Sequence, residues 1–167
     1  MSTGGPQLFN SALEAGLRSL FLLAASGRRG FDIQQLVGFD FALVHSSELD
    51  GPPSLHPRSP AQGQQLLVRR TLMQDGLELM RSRDLVDRKF QASGIVYGAT
   101  RAGRHVAAQF DSLYAKELRE RANWVVETLA DLTARQLAEL LDPQARALAD
   151  ELIVAQSPGE LSLMSDD

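Results

Sequence analysis

The sequence predicts a mainly α-helical fold with a small β-hairpin: a winged helix-turn-helix followed by long C-terminal helices. Three observations predict it. Apolar residues recur at helical spacing in three segments that precede residue 85. The period changes to alternation between residues 85 and 99, which is typical of two strands, and returns to helical spacing after Thr100. Three helices, a hairpin and a closing helix are the element order of a winged helix.

Capping residues place the three helices before the hairpin. Ser11 and Glu14 have the pattern of a capping box, so the first helix should begin there. Asp32 is a good N-cap for a second helix, which is apolar nearly all round and therefore expected to be buried. The third segment, Gln62 to about Ser82, fits one long helix or two short ones separated near Gly76.

Turn residues and further caps place the later elements. The two predicted strands meet at a turn at Ser93-Gly94, and Thr100 caps a helix. The inward face of that helix should carry Val106, Ala107 and Phe110. A long amphipathic helix should follow from Leu113 to Leu132, then a helix capped by Thr133, and then a last helix with Ala147, Leu148, Leu152 and Ile153.

These elements divide the chain into four regions. Residues 1–10 form an N-terminal arm, and residues 11–111 form the winged-helix domain, which contains a proline-rich loop at 47–61. Residues 112–155 form a C-terminal helical extension. Residues 156–167 are expected to be a disordered tail.

Composition limits the kind of protein. The 167 residues include no cysteine, which excludes a disulfide framework, a thiolate zinc site and a cysteine nucleophile. The longest apolar stretch, around residues 20–25, is far shorter than a bilayer span, and the N-terminus lacks the pattern of a secretory signal. We therefore expect a cytoplasmic protein that does not contact a membrane.

Basic residues concentrate in the middle of a chain whose net charge is −4. Six of them could contact nucleic acid through the third helix and the wing: Arg69, Arg70, Arg81, Arg83, Arg88 and Lys89. The alternative is a solvated basic face, or internal pairing with Asp75, Glu78, Asp84 and Asp87. A protein that gripped DNA by itself would usually be basic overall, so the acidic total argues for sharing that task.

The proline-rich loop is long for a helix-turn-helix unit, and long loops are often functional. A first set of partner-binding candidates therefore comes from this loop and from the single tryptophan: Pro52, Pro53, Leu55, His56, Pro57 and Trp124. The alternative is structural. Leu55 would pack over the core, His56 would make an ordinary backbone hydrogen bond, and Trp124 would have a core or half-buried packing role.

Signals for catalysis are missing. His45, His56 and His105 lie far apart without a carboxylate at metal-ligand spacing, so we expect no metal. Gly98 and Gly103 have the glycine spacing of a phosphate-binding loop, but Arg104 and His105 stand where that loop has its lysine and hydroxyl residue. No Gly-x-Ser-x-Gly elbow occurs. We expect a protein that is not an enzyme, with no catalytic residues and no cofactor.

Three stretches, which together span residues 9–127, carry a resemblance to a known family. They are Phe9-Asn10-Ser11-x-Leu13-Glu14-Ala15-Gly16-Leu17-Arg18, the loop Gly51-Pro52-Pro53-Ser54-Leu55-His56-Pro57, and Leu66-Leu67-Val68-Arg69-Arg70 with Arg119-x-Arg121-Ala122-x-Trp124-Val125-Val126. They resemble the middle component of bacterial ABC-three-component systems, a small winged-helix-like subunit encoded beside an SMC-like ATPase and an effector.

The resemblance implies an anti-phage defence complex of the Lamassu type, in which the SMC-like ATPase senses foreign DNA and a nuclease-type effector does the damage. In that scheme this chain is a non-catalytic adaptor, which links the ATPase to the effector and contacts double-stranded DNA, if at all, through the complex. A second hypothesis stays open: a homodimeric winged-helix transcriptional regulator that binds DNA and dimerises through its C-terminal helices.

Overall fold

The computed structural model describes residues 11–56 and 65–142. In chain order these residues form α1 (Ala12–Ala25), α2 (Ile33–Val44), a 3-10 helix (Ser46–Leu49), α3 (Gln65–Ser82), β1 (Val86–Gln91), β2 (Gly94–Ala99), α4 (Arg101–Gln109), α5 (Leu113–Leu129) and α6 (Ala134–Leu141). The described chain is mainly helical with one two-stranded antiparallel sheet. The predicted fold class is confirmed at that level.

Side-chain caps begin five of the helices. In each case the capping oxygen accepts a backbone N–H from three residues further on, and the caps are Ser11, Asp32, Thr100, Ser112 and Thr133. The caps predicted at Ser11, Asp32, Thr100 and Thr133 are therefore confirmed. Of the capping box predicted at Ser11, the Ser11 half forms. The Oε2 oxygen of Glu14 is buried and has no hydrogen-bond partner among the described residues.

Helix α3 runs unbroken through Gly76, which decides between the one-helix and two-helix alternatives. Gly76 lies where α3 crosses α1. A Cβ atom at residue 76 would lie 2.5 Å from the backbone nitrogen of Gly16 and 2.7 Å from the carbonyl oxygen of Ala12. The two glycines thus let the backbones of α1 and α3 pack closely. Glycine has a low helix propensity, but at residue 76 it is required by the close approach of α1.

The predicted hairpin is confirmed. β1 and β2 pair antiparallel from Val86 opposite Ala99 to Gln91 opposite Gly94. The two-residue turn consists of residues 92–93, one position earlier than expected, and Gly94 follows it with φ of +121°. The base of the hairpin is buried at Val86 and Ala99, whereas its tip is exposed.

A third extended segment, which we did not predict, lies between α1 and α2. Phe31 forms an antiparallel bridge with Tyr97 of β2. Its N–H donates to the Tyr97 carbonyl at 3.0 Å, and the Tyr97 N–H donates back at 2.8 Å. A single bridged residue has no alternating pattern, so no sequence signal could reveal it.

Helices α1, α2, α3 and α5 enclose the core. Its fully buried large side chains include Phe31 and Phe39, whose rings meet edge to face with centroids 4.9 Å apart. The apolar face of α5 belongs to the same core through Ala115, Leu118, Ala122, Val125 and Leu129. The boundary proposed at residue 112 stays a prediction, although α5 packs on the helices before it.

A few expectations differ from the structure. Phe110, expected to face inward, is 40% exposed because it follows the last residue of α4 as its C-cap. The long helix α5 ends at Leu129, three residues before the predicted end, and the proline-rich loop begins with a short 3-10 helix.

Some predictions lie outside the described residues: the arm at 1–10, the helix near 147–153, the tail and Pro57. No described helix is long and apolar enough to span a membrane.

Candidate functional site

Hydrogen bonds hold the first part of the proline-rich loop against α2. The backbone N–H groups of Leu55 and His56 both donate to the carbonyl oxygen of Val44 at 3.1 Å. The buried hydroxyl of Ser46 donates to the carbonyl oxygen of Pro52 at 2.8 Å. Leu55 packs against the core. This part of the loop is therefore a built element of the fold.

Two side chains of α5 also contact this part of the loop. The buried Arg121 donates from Nε to the carbonyl oxygen of Pro53 at 2.7 Å. The half-buried ring of Trp124 covers Gly51 so closely that any side chain at residue 51 would overlap it. These contacts agree with the structural alternative given in the sequence analysis, in which Leu55 and Trp124 have packing roles. The partner-binding role stays a prediction for Pro52, Pro53, Leu55, His56 and Trp124, which the structure brings together.

A buried ion-pair cluster, here called the Asp40 cluster, consists of Arg18, Asp40 and Arg69. The carboxylate of Asp40 accepts from Arg18 Nε at 2.5 Å and Nη2 at 3.2 Å, and from Arg69 Nη1 at 3.3 Å. Arg18 and Asp40 are 5% and 3% exposed. The Arg69 guanidinium also lies over the ring of Phe41, 5.4 Å from its centroid. One carboxylate is therefore shared by two cations from α1 and α3.

The surroundings of the Asp40 cluster shift the pKa of three bases. Burial opposes the charge of Arg18, but the charge and hydrogen bonds of Asp40 reverse this effect and raise its pKa. Burial lowers the pKa of Arg69, which Asp40 offsets only in part. Burial, together with the positive charge of Arg18, lowers the pKa of His56 to about 4. The Nε2 atom of His56 lies 3.5 Å from the hydroxyl of Tyr114. His56 is therefore neutral at pH 7.

The sequence analysis missed Arg18 and Asp40 as a functional pair. The available signals were Asp40, the single charged residue of α2, and Arg18 among the apolar residues of α1. Charged residues are rarely fully buried without a partner, so each one called for an opposite charge elsewhere in the chain. The partner's position could not be read from spacing, because the two lie on different helices.

The six residues predicted to bind nucleic acid differ in their surroundings. Arg69 is committed to Asp40, and Arg81 pairs with Glu78 at 2.7 Å, as the internal-pairing alternative expected. Arg70 is half-buried on α3. Arg83, Arg88 and Lys89 are exposed at and near the hairpin, where the Arg88 guanidinium lies 5.5 Å from the ring centroid of Phe90. Three of the six are therefore exposed at or near the hairpin, where Arg88 and Lys89, as consecutive strand residues, lie on opposite faces.

An apolar groove, here called the α1–α5 groove, opens between α1 and the start of α5. Its volume is about 240 Å³, and Leu17 and Phe21 of α1 line one side. Phe110, Tyr114 and Leu118 line the other side. The rings of Phe21 and Phe110 lie with their centroids 6.0 Å apart. The groove is therefore bounded by large apolar side chains from distant parts of the sequence.

Two charged residues shape the α1–α5 groove. Arg119 donates from Nη2 to the carbonyl oxygens of Ala107 at 2.9 Å and Phe110 at 2.7 Å, so it holds the connection between α4 and α5. Glu14 lines the groove, and burial raises its pKa although the charge of Arg18 acts in the opposite direction. Arg119 thus fixes the position of the Phe110 backbone at the groove wall.

Within residues 11–56 and 65–142, no group of three or more histidine, aspartate or glutamate side chains is arranged to hold a metal ion. A comparison with family models matches residues 8–151 to the ABC-three component (ABC-3C) system Middle Component 2. The chain belongs to this family. Neither the curated proteins nor the solved structures gave a match.

The family assignment confirms the resemblance to an ABC-3C middle component. Within this middle component, four arginines of the stretches that carried the resemblance bond to the chain itself: Arg18, Arg69, Arg119 and Arg121. They join α1 to α2, α3 to α2, α5 to α4, and α5 to the loop. These positions therefore stabilise the fold of the middle component.

Proposed function

We propose that this middle component is a non-catalytic adaptor subunit, which links the ATPase of its three-component system to an effector. The observation that carries the proposal is the family match over residues 8–151, because a middle component belongs to a system with further components. Protein partners follow from that membership. The simplest role for a small subunit among such partners is that of an adaptor.

The distribution of exposed side chains supports this role. The arginines of the Asp40 cluster and of α5 contact the chain's own carboxylate and carbonyl groups. By contrast, several large apolar side chains are exposed: Leu13, Phe90, Ile95, Phe110, Leu113 and Tyr114. Exposed apolar groups that lie close together are typical of protein-binding surfaces.

We also propose that the domain is a winged helix. The order helix, single bridged residue, helix, helix and hairpin supports this, because the Phe31 bridge supplies the short strand that a winged helix has between its first two helices. The loop between α2 and α3 is then an insertion inside the helix-turn-helix unit. A winged helix offers its hairpin and its helical faces to different molecules.

The resemblance suggests the identity of the partners. They are an SMC-like ATPase and a nuclease-type effector of a Lamassu-type anti-phage system, and the complex works in the cytoplasm. Double-stranded DNA is contacted through the assembled complex. The net charge of −4 supports this assignment, since a protein that binds DNA strongly by itself is usually basic overall.

Co-expression tests the adaptor proposal. The middle component and the ATPase encoded beside it should elute together from a size-exclusion column at low salt, and adding the effector should give a larger complex. Separate elution of the two proteins under those conditions contradicts the proposal.

A second function, a homodimeric DNA-binding regulator, is favoured by one observation: Arg83, Arg88 and Lys89 are each exposed at or near the hairpin. It predicts sequence-specific binding by the isolated protein. A mobility-shift measurement tests this prediction. Weak binding that shows no sequence preference and disappears at modest salt reflects non-specific phosphate contacts, and it would contradict the regulator hypothesis.

A further inference from the structure

The α1–α5 groove combines apolar walls with one unsatisfied charged group. Leu17, Phe21 and Phe110 form walls that accept an apolar side chain. On α1 the exposed apolar surface continues beyond these walls, because Leu13, which lies one turn before Leu17 on the same helix face, is 53% exposed. The groove therefore offers both a recess and an apolar margin around it.

Glu14 gives the groove its polarity. Its Oε2 atom is buried and has no hydrogen-bond partner within residues 11–56 and 65–142. The neighbouring cation, Arg18, bonds to Asp40 through Nε and Nη2. A buried carboxylate oxygen without a donor is unfavourable, so a molecule that fills the groove and brings a donor gains more than one that is only apolar.

We propose that the α1–α5 groove binds an amphipathic helix of another protein of the three-component system. One large apolar side chain of that helix enters the recess lined by Leu17, Phe21 and Phe110, and a lysine or arginine of the same helix donates to Glu14. The complementary charge selects a basic helix, and the apolar margin covers the rest of its inner face. This inference rests on the proposed adaptor function and names the surface that performs it.

A photo-crosslink identifies the occupant. Tyr114 lines the groove and is 41% exposed, so benzoylphenylalanine in its place keeps an aromatic ring at the groove wall. In the co-expressed complex, we expect irradiation to link this position to a helical segment of a partner with a lysine or arginine within one turn of an apolar residue. A crosslink within the same chain, to a second copy or to an acidic segment overturns the proposal.

Matched substitutions measure the contribution of each group. Glu14→Lys and Phe110→Ala should each weaken binding to the purified partner at least tenfold in a titration. Glu14→Gln keeps the shape of the side chain and should have a smaller effect in the same direction. The controls are Glu127→Lys on the exposed side of α5 and Phe90→Ala at the hairpin, which should bind within twofold of the wild type.

Charge exchange separates binding from misfolding. Glu14→Lys, combined with a glutamate in place of the crosslinked basic residue of the partner, should recover most of the affinity, which a folding defect could not do. If the wild type does not bind the partner at all, the adaptor function itself is wrong. If the wild type and all groove variants bind equally well, the adaptor function stands and the groove proposal is wrong.

Discussion

Asp40 shows how much one residue can organise. It lies on a helix that otherwise buries apolar side chains, and it accepts hydrogen bonds from guanidinium groups on two other helices. A buried ion pair adds little net stability compared with apolar packing, but removing one partner leaves an uncompensated charge. The Asp40 cluster therefore fixes how α1, α2 and α3 are arranged and penalises any arrangement that separates the charges.

Arg69 and Arg70 are neighbours in the sequence but have different surroundings. Arg69→Ala should lower the free energy of unfolding by about 1–3 kcal/mol, because it removes a charged hydrogen bond to Asp40 and the contact with Phe41. Arg70→Ala, the matched control, should change it by about 0.5 kcal/mol or less. Urea unfolding of both variants checks this, and equal effects would contradict the role assigned to Arg69.

His56 should make stability depend on pH. Its pKa in the folded chain is about 4, below the ordinary value of 6.5, so the unfolded chain binds more protons between these values. Stability from this group is present above pH 6.5 and is lost as the pH falls toward 4. The groups that face His56 are Arg18, His45, Asp40, Arg69 and Tyr114.

His56→Gln should remove that dependence. Because His56 is only half-buried, solvent screening reduces the effect to the order of 1 kcal/mol. The measurement is the free energy of unfolding at pH 7 and pH 5 for the wild type and the variant. The two proteins contain the same carboxylates, so the difference between them reports on His56. Parallel decreases in the two proteins would show that His56 is not responsible.

At the scale of elements, the sequence predicted most of what depends on local residues. The caps at Asp32, Thr100 and Thr133 and the two strands of the hairpin follow from short patterns, and the structure confirms them. The Phe31 bridge and the Asp40 cluster could not be predicted in this way, because each joins residues that lie far apart in the chain. The α1–α5 groove was missed for the same reason.

Gly76 illustrates a local signal with a distant cause. By helix propensity alone, Gly76→Ala would stabilise α3 by about 1 kcal/mol. We expect the opposite, a destabilisation of about 1–3 kcal/mol, because the new methyl group would lie against the backbone of α1 at Gly16. Thermal unfolding measures this. Gly94→Ala is the comparison, since nothing lies within 4 Å of its added Cβ and only its positive φ opposes it.

At the scale of the whole molecule, three exposed features lie on different elements: the basic hairpin, the loop covered by Trp124, and the α1–α5 groove. An adaptor needs separate surfaces if it is to contact more than one partner at once. The groove carries the most specific chemistry of the three, since it combines an apolar recess with an unpaired carboxylate oxygen among the described residues. It is therefore the surface to which we assign the partner helix.

The hairpin can be tested in the assembled complex. Replacing Arg88 and Lys89 by glutamine should weaken DNA binding about equally for all sequences. The slope of log K against log salt should fall by about 1 for each phosphate that the variant no longer neutralises. The controls are the same substitutions at Arg28 and Lys116, which are also exposed. An unchanged slope would assign DNA binding to the other subunits.

The bridge between Phe31 and Tyr97 has a mechanical consequence. It anchors β2 near its base to the segment between α1 and α2, while the tip at Phe90 and Ile95 projects without such support. The hairpin is thus held near its base and projects at its tip. A partner that pulls on the tip would therefore load the junction between the first two helices through this bridge.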